Sequence, residues 1–167
     1  VHNAVDAHIV ANTVYKNSDS GIEMTTSVQV TLNNNISIDN GIGSLRTAGN
    51  VRADVSSVAG GCVIQDDLVF LRTPGQMFDW NGVKYTSLAA FQAATGMESR
   101  GIQADPRFSS AAGANFHLLA GSPAIDSANT GAIGQPGVDF DGGSRFDDPA
   151  SANTGIGPVA YADRGAF

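Results

Sequence analysis

Cysteine occurs once in this chain, at Cys62, so no internal disulfide can form. A catalytic thiol needs a matched His and an electropositive setting, and Gly60-Gly61-Cys62-Val63 supplies neither; Cys62 reads as a small buried hydrophobe. Charge is also scarce, at 15% of residues, and aromatics make up 7%. Nine Lys and Arg against sixteen Asp and Glu leave a net charge of −7. The few cations are scattered, which excludes the concentrated basic face that a nucleic-acid binder needs to neutralise phosphates. No apolar run approaches the length of a membrane-spanning helix, so no membrane span is expected. No signal peptide is visible before the repeat, and any targeting segment is expected upstream of Val1. What remains is 42% hydrophobic residues, 20 Gly and many Asn, Ser and Thr. That balance disfavours a helical bundle or disorder and favours a single, turn-rich β domain.

The strongest pattern is a repeat. Residues 5–27 align without a gap on residues 28–50 at an offset of 23, placing Val5 on Val28, Ile9 on Leu32, Asn12 on Asn35, Asn17 on Asn40 and Ile22 on Leu45. Units of this size, rich in Val, Ile, Thr and Asn, cannot bury an apolar face alone and read as β-coils that stack. Asn tolerates the left-handed backbone at a bend, and its amide can bond the same residue one coil away. Asn12 and Asn35 are therefore expected to form an amide ladder. The same register sets Lys16 beside Asp39 and Glu23 beside Arg46, opposite charges on both occasions. A third coil is expected to begin at Val51, where the pattern decays because the Asn position falls on Val58.

Beyond the repeat, CVIQDDLVFL reads as a buried strand interrupted by Asp66-Asp67. Pro74-Gly75 and Asn81-Gly82 mark turns, and Phe78, Trp80 and Tyr85 between them suggest a hairpin packed over the coils. Residues 86–96 form the one convincing helix, capped by Thr86 or Ser87, stopped by Gly96 and anchored through Leu88 and Phe91. Open coil ends need covering, and residues 73–167 have the composition of a cap over terminal coils at 1–72.

Seven motifs in order carry a family resemblance. They are Gln65-Asp66-Asp67-Leu68-Val69-Phe70, the helix from Ser87 to Gly96, Asp105-Pro106-Arg107-Phe108, Phe116-His117-Leu118, Gly121-Ser122-Pro123-Ala124-Ile125-Asp126, the Asp139 to Arg145 segment, and Asp163-Arg164-Gly165-Ala166-Phe167. With them the chain resembles the C-terminal part of bacterial right-handed parallel β-helix proteins of the pectate-lyase-like superfamily. The resemblance implies an all-β fold, the last coils of a right-handed parallel β-helix with a C-terminal cap containing one short α-helix. It also implies a secreted or cell-surface bacterial protein that binds or degrades polysaccharide as a lyase or glycoside hydrolase, or else a non-catalytic adhesion or structural module. Catalytic groups in such proteins sit on middle coils, here expected before Val1. The expected partners are polysaccharide and upstream coils of the same protein or a companion chain.

Candidate residues follow from the chemistry. Glycoside hydrolysis needs two carboxyls, and β-elimination needs a base with a cation to neutralise a uronate. Lys16 and Glu23 are the catalytic candidates, and Tyr15, Arg46 and Trp80 the substrate-binding ones. His117 alternates away from Phe116 and Leu118 and reads as a surface residue. No cofactor is favoured, but calcium remains open: Asp139, Asp141 and Asp147 cluster among glycines, as oxygen ligation requires. The competing reading of that loop is a set of Asx-turns with Arg145 paired to one Asp.

Overall fold

The computed structural model describes residues 1–44 and 49–167. Strands come in consecutive threes. The first set is β1 (His8–Val10), β2 (Thr13–Tyr15) and β3 (Ser20–Met24); the second is β4 (Thr31–Asn33), β5 (Ile36–Ile38) and β6 (Gly49–Ala53). The third is β7 (Val63–Gln65), β8 (Leu68–Phe70) and β9 (Phe78–Trp80). Every strand of one set pairs in parallel with its counterpart in the next. His8 lies beside Thr31 and Thr31 beside Val63, Thr13 beside Ile36 and Ile36 beside Leu68, Ile22 beside Val51 and Val51 beside Phe78. Three stacked parallel sheets result; among the described residues β1 and β2 each have a strand on one side alone, while the end of β3 also meets the first residues of the chain, with Val1 donating to Glu23 O. The structure is thus mainly β, and Met24, Leu32, Ile36, Ile38, Ile64 and Phe78 fill the space between the sheets.

The register at offset 23 holds over the first step in two sheets and changes afterwards. Glu23 stands beside Arg52, and the two side chains form an ion pair across 29 positions. The expected partner Arg46 lies outside the described residues. Val51 does not open a third coil; it belongs to β6, the last strand of the second set. Extra residues enter between β5 and β6 and again at α1 (Val55–Ala59), a short helix that Asp54 caps by accepting the Ser57 N–H. The repeat decays in sequence for that reason, while the stacking continues.

Two polar ladders run along the stack. Asn35 Oδ1 accepts from the backbone N–H and the amide of Asn12, and Asp67 Oδ1 accepts from the same two groups of Asn35 across 32 positions. The expected pair thereby extends by one rung, with Asp67 rather than Val58 in the Asn position. A fourth rung follows, in which Glu98 Oε2 accepts the Asp67 N–H. Asn17, Asn40 and Asn50 form the second ladder by the same double donation. Each bond contributes about 0.5–1.5 kcal/mol net, and leaving such buried groups unpaired costs more than that, so the ladders penalise any slip of register.

The rest of the chain covers one end and one side. After β9 the chain turns at Asn81-Gly82 into β10 (Val83–Tyr85), antiparallel to β9. The expected hairpin is present, but β9 is itself a strand of the third sheet. Helix α2 (Leu88–Thr95) follows, with Ser87 accepting the Ala90 N–H and Gly96 closing it at φ +71°, a left-handed position that suits glycine. Then β11 (Ile102–Gln103) extends the middle sheet beside β8, and β12 (Phe108–Ser110) pairs with β13 (Asn115–Leu118). The final segment returns along the stack, where Gly165 N–H reaches Asn34 O and Ala166 N–H reaches Thr13 Oγ1. Its anchor is the buried Arg164, which donates to the carbonyls of Asp67, Arg100 and Ser127.

The carboxyl end of the first ladder titrates abnormally. Asp67 Oδ2 and Glu98 Oε1 are buried without a hydrogen-bond partner. Burial pushes the Asp67 carboxyl up to about 6, and burial together with the Asp67 charge pushes Glu98 well above its usual value. The pair therefore shares a proton near neutrality. A folded-state pKa raised above the unfolded value gives stability at low pH that is lost as pH rises through the folded pKa. Glu98→Gln supplies a fixed N–H donor in place of that proton. Its melting temperature is expected to exceed that of the parent by several degrees at pH 8, with the gap closing toward pH 4. A gap constant across that range would refute proton sharing.

Candidate functional site

A lateral cavity of about 540 Å³ lies where the chain leaves the middle sheet. Three strands deliver its walls. Tyr15 ends β2 and Lys16 follows it, Asp39 follows β5, and Arg72 lies two residues beyond β8. Lys16 and Asp39 both take left-handed backbone, at φ +53° and +54°, so the two turns superpose and bring their side chains to one corner.

Electrostatics fix this corner. Asp39 accepts the Arg72 backbone N–H at 2.7 Å through one oxygen and the guanidinium at 2.5 Å through the other. The other guanidinium arm reaches both oxygens of Asp105 at 3.2 Å. Burial works against the Arg72 charge, but Asp39 and Asp105 outweigh it and hold its pKa above the usual value. Lys16 stands beside Asp39 in register, as expected, yet the buried Asp39 carboxylate is ion-paired with Arg72. The Lys16 ammonium instead lies 5.3 Å from the centroid of the Tyr15 ring, within cation–π range. Phe116 holds that ring edge-on at 5.7 Å.

The corner can therefore bind but is poorly equipped for acid/base chemistry. Asp39 is the one carboxylate among the lining residues, and both of its oxygens are engaged by Arg72. Paired-carboxyl hydrolysis needs a second acid that no lining residue provides. With Arg72 neutralised by Asp39 and Asp105, the Lys16 ammonium and the Tyr15 phenol are the groups that suit an anionic, hydroxyl-rich ligand.

The other sequence candidates fall elsewhere. Glu23 sits on the third sheet in a charge chain with Arg52 and Asp79. Trp80 is a correction: it is buried and packs edge-on against Phe91 at 5.6 Å, so its ring offers no face to a sugar. Its neighbours in β9 pair with β6, which places Trp80 inside the sheet stack. Arg46 lies outside the described residues. Asp141 pairs with His117 at 3.1 Å on the surface, Asp139 accepts the Gly143 N–H, and Asp147 is exposed. Among the described residues, no three His, Cys, Asp or Glu side chains gather into a metal-binding group. Arg145 donates to the carbonyls of Gly165 and Phe167. Among the described residues, no helix is long and apolar enough to cross a membrane.

Arg72 was not singled out from sequence. Its partner Asp39 lies 33 positions away, a spacing that the offset of 23 cannot produce. Comparison of the chain with protein-family models, with curated proteins and with solved structures finds no match.

Proposed function

We propose that this chain forms the terminal coils and cap of a right-handed parallel β-helix in a secreted or surface-associated bacterial protein, and that its lateral corner binds acidic polysaccharide. The convergence of Tyr15, Lys16 and Arg72 on one cavity carries the reading. Stacked parallel strands, polar ladders and a capping segment support the architecture. A uronate carboxylate meets the Lys16 ammonium, and sugar hydroxyls meet Asn17 and the Tyr15 phenol. The open edges of β1 and β2 suit further coils of the same protein or of a companion chain. A lyase or glycoside hydrolase activity of the whole assembly would place its acid and base on such coils, since Asp39 is fully engaged.

Titration calorimetry with a polyuronate and a neutral polysaccharide tests this. Binding of the polyuronate alone is expected, weakened by salt and by about tenfold in Lys16→Ala, the loss of one charge-assisted contact. Equal affinity for the neutral polymer, or none for either, refutes the reading. Product release by this chain would refute the assignment of binding without chemistry.

A further inference from the structure

A second cavity, of about 320 Å³, opens on the cap and plays no part in the corner described above. His117, Phe146, Asp148, Asp163 and Phe167 wall it. Phe146 is 74% exposed and the neighbouring Phe140 75%, unusual for side chains of this size. The Phe140 ring lies 5.1 Å from that of Phe167, and His117 lies 4.9 Å from it on another side, so an aromatic shelf borders the opening.

The acidic wall is short of positive charge. Asp163 Oδ1 accepts the Asp126 N–H at 2.8 Å. Asp126 lies behind it, wholly buried, and neither of its carboxylate oxygens has a hydrogen-bond partner. Burial, with the neighbouring Asp126 and Asp148 charges adding to it, pushes Asp163 up to about 6. Asp126 is raised as well, by burial and by Asp147 and Asp148. Arg145 is the cation that acts on Asp163, and its two terminal nitrogens donate to the carbonyls of Phe167 and Gly165. His117 is engaged by Asp141.

Among the described residues Arg145 alone opposes the carboxyls of Asp126, Asp148 and Asp163, and the kind of further cation that fits follows from geometry. The carboxyls do not gather into a metal-binding group. A cavity of 320 Å³ with phenyl walls is far larger than a bare ion needs and matches the lower end of small-molecule sites. Phenyl faces attract cations, and the carboxylates keep lone pairs for further N–H donors even though Asp148 already accepts from the Ala150 N–H and the Ser151 hydroxyl.

We propose that this cavity binds an organic cation, a primary ammonium or guanidinium on an apolar stem, with its charge between Asp148 and Asp163 and its stem along Phe146 and Phe167. Quaternary ammonium ions satisfy the phenyl walls but donate no hydrogen bond, and they bind more weakly. Protonation of Asp163 below about pH 6 removes one of the two charges and weakens binding.

Calorimetry of the whole chain with butylammonium, butylguanidinium and tetramethylammonium tests the site. Saturable binding of the first two, at least fivefold tighter than the third, is expected, with loss of affinity from pH 7.5 to pH 5. Asp163→Asn keeps an acceptor for the Asp126 N–H and should lower affinity about tenfold. Phe146→Ala, at a position 74% exposed, should lower it severalfold and guards against a folding artefact in the first variant. N-acetyl-lysinamide distinguishes two sources of the same chemistry: tighter binding than butylammonium points to a lysine side chain of a polypeptide, weaker binding to a free amine. Absence of saturable binding, or affinities that ignore both substitutions, overturns the proposal.

Discussion

Replacing Arg164 by methionine is expected to lower the unfolding free energy by about 3–5 kcal/mol, the cost of breaking a buried charge away from its partners. Methionine keeps the apolar stem, ends where the guanidinium begins and donates nothing. Three carbonyls, those of Asp67, Arg100 and Ser127, lose their donor at once. The adjacent acids Asp66, Asp67 and Glu98 lose the cation that opposes their burial. Asp66 keeps Arg100 at 3.2 Å, but Asp67 and Glu98 have no such substitute. Urea denaturation measures the loss directly. The Glu98→Gln background sharpens the test: with one acid gone, Arg164→Met should cost less there, by roughly 0.5–3 kcal/mol, the range of coupling between groups in one network. A loss below about 1 kcal/mol, or strict additivity of the two substitutions, would show that the guanidinium serves packing alone.

The other large effect centres on Phe91. Its ring is completely buried, stacked on Phe78 at 4.2 Å and meeting Trp80 and Tyr85 edge-on at 5.6 and 5.4 Å. With Leu88, it docks α2 on the core beside the third sheet. Phe91→Ala should cost about 3–5 kcal/mol, the sum of lost transfer energy and an unfilled cavity. The chain has one tryptophan, so its fluorescence reports this site without ambiguity. A red shift of the Trp80 emission is expected in the folded variant as solvent reaches the vacated space. Unchanged emission with full stability would mean that α2 is held elsewhere.

These two residues differ in how far the sequence announced them. Phe91 was legible, because Ser87, Leu88, Phe91 and Gly96 spell a capped amphipathic helix within ten positions. Asn12 with Asn35 and Asn17 with Asn40 were legible for a similar reason, a constant spacing that recurs. Arg164 and Glu98 were not. Arg164 reaches Asp67 across 97 positions, and no local pattern encodes a meeting of that kind. Glu98 looks like an ordinary surface acid after a helix, and only the fourth rung of the ladder explains its burial. The pairing of Glu23 failed for an intermediate reason: the offset was real over two sheets, but residues inserted before β6 shifted the third. In the binding corner, Tyr15 and Lys16 were accessible from the repeat, whereas Arg72 lay past the point where counting by 23 ceased to work. Trp80 was misplaced because alternation with polar neighbours reads the same for a hairpin on the surface and a strand in the stack.

The polar ladders also change how such a chain should be measured. Successive partners stand 23 positions apart in the first step and 32 in the second, yet the same donors meet equivalent acceptors. The corner residue acts as an address that each turn of chain must report to, while the length travelled between addresses is free. Residues added between two addresses, as where α1 enters between β6 and β7, therefore alter the journey and not the destination, and each such place is a port where the period breaks. Any search for kindred chains by a fixed period will lose them at the first such port. Counting their corners will not.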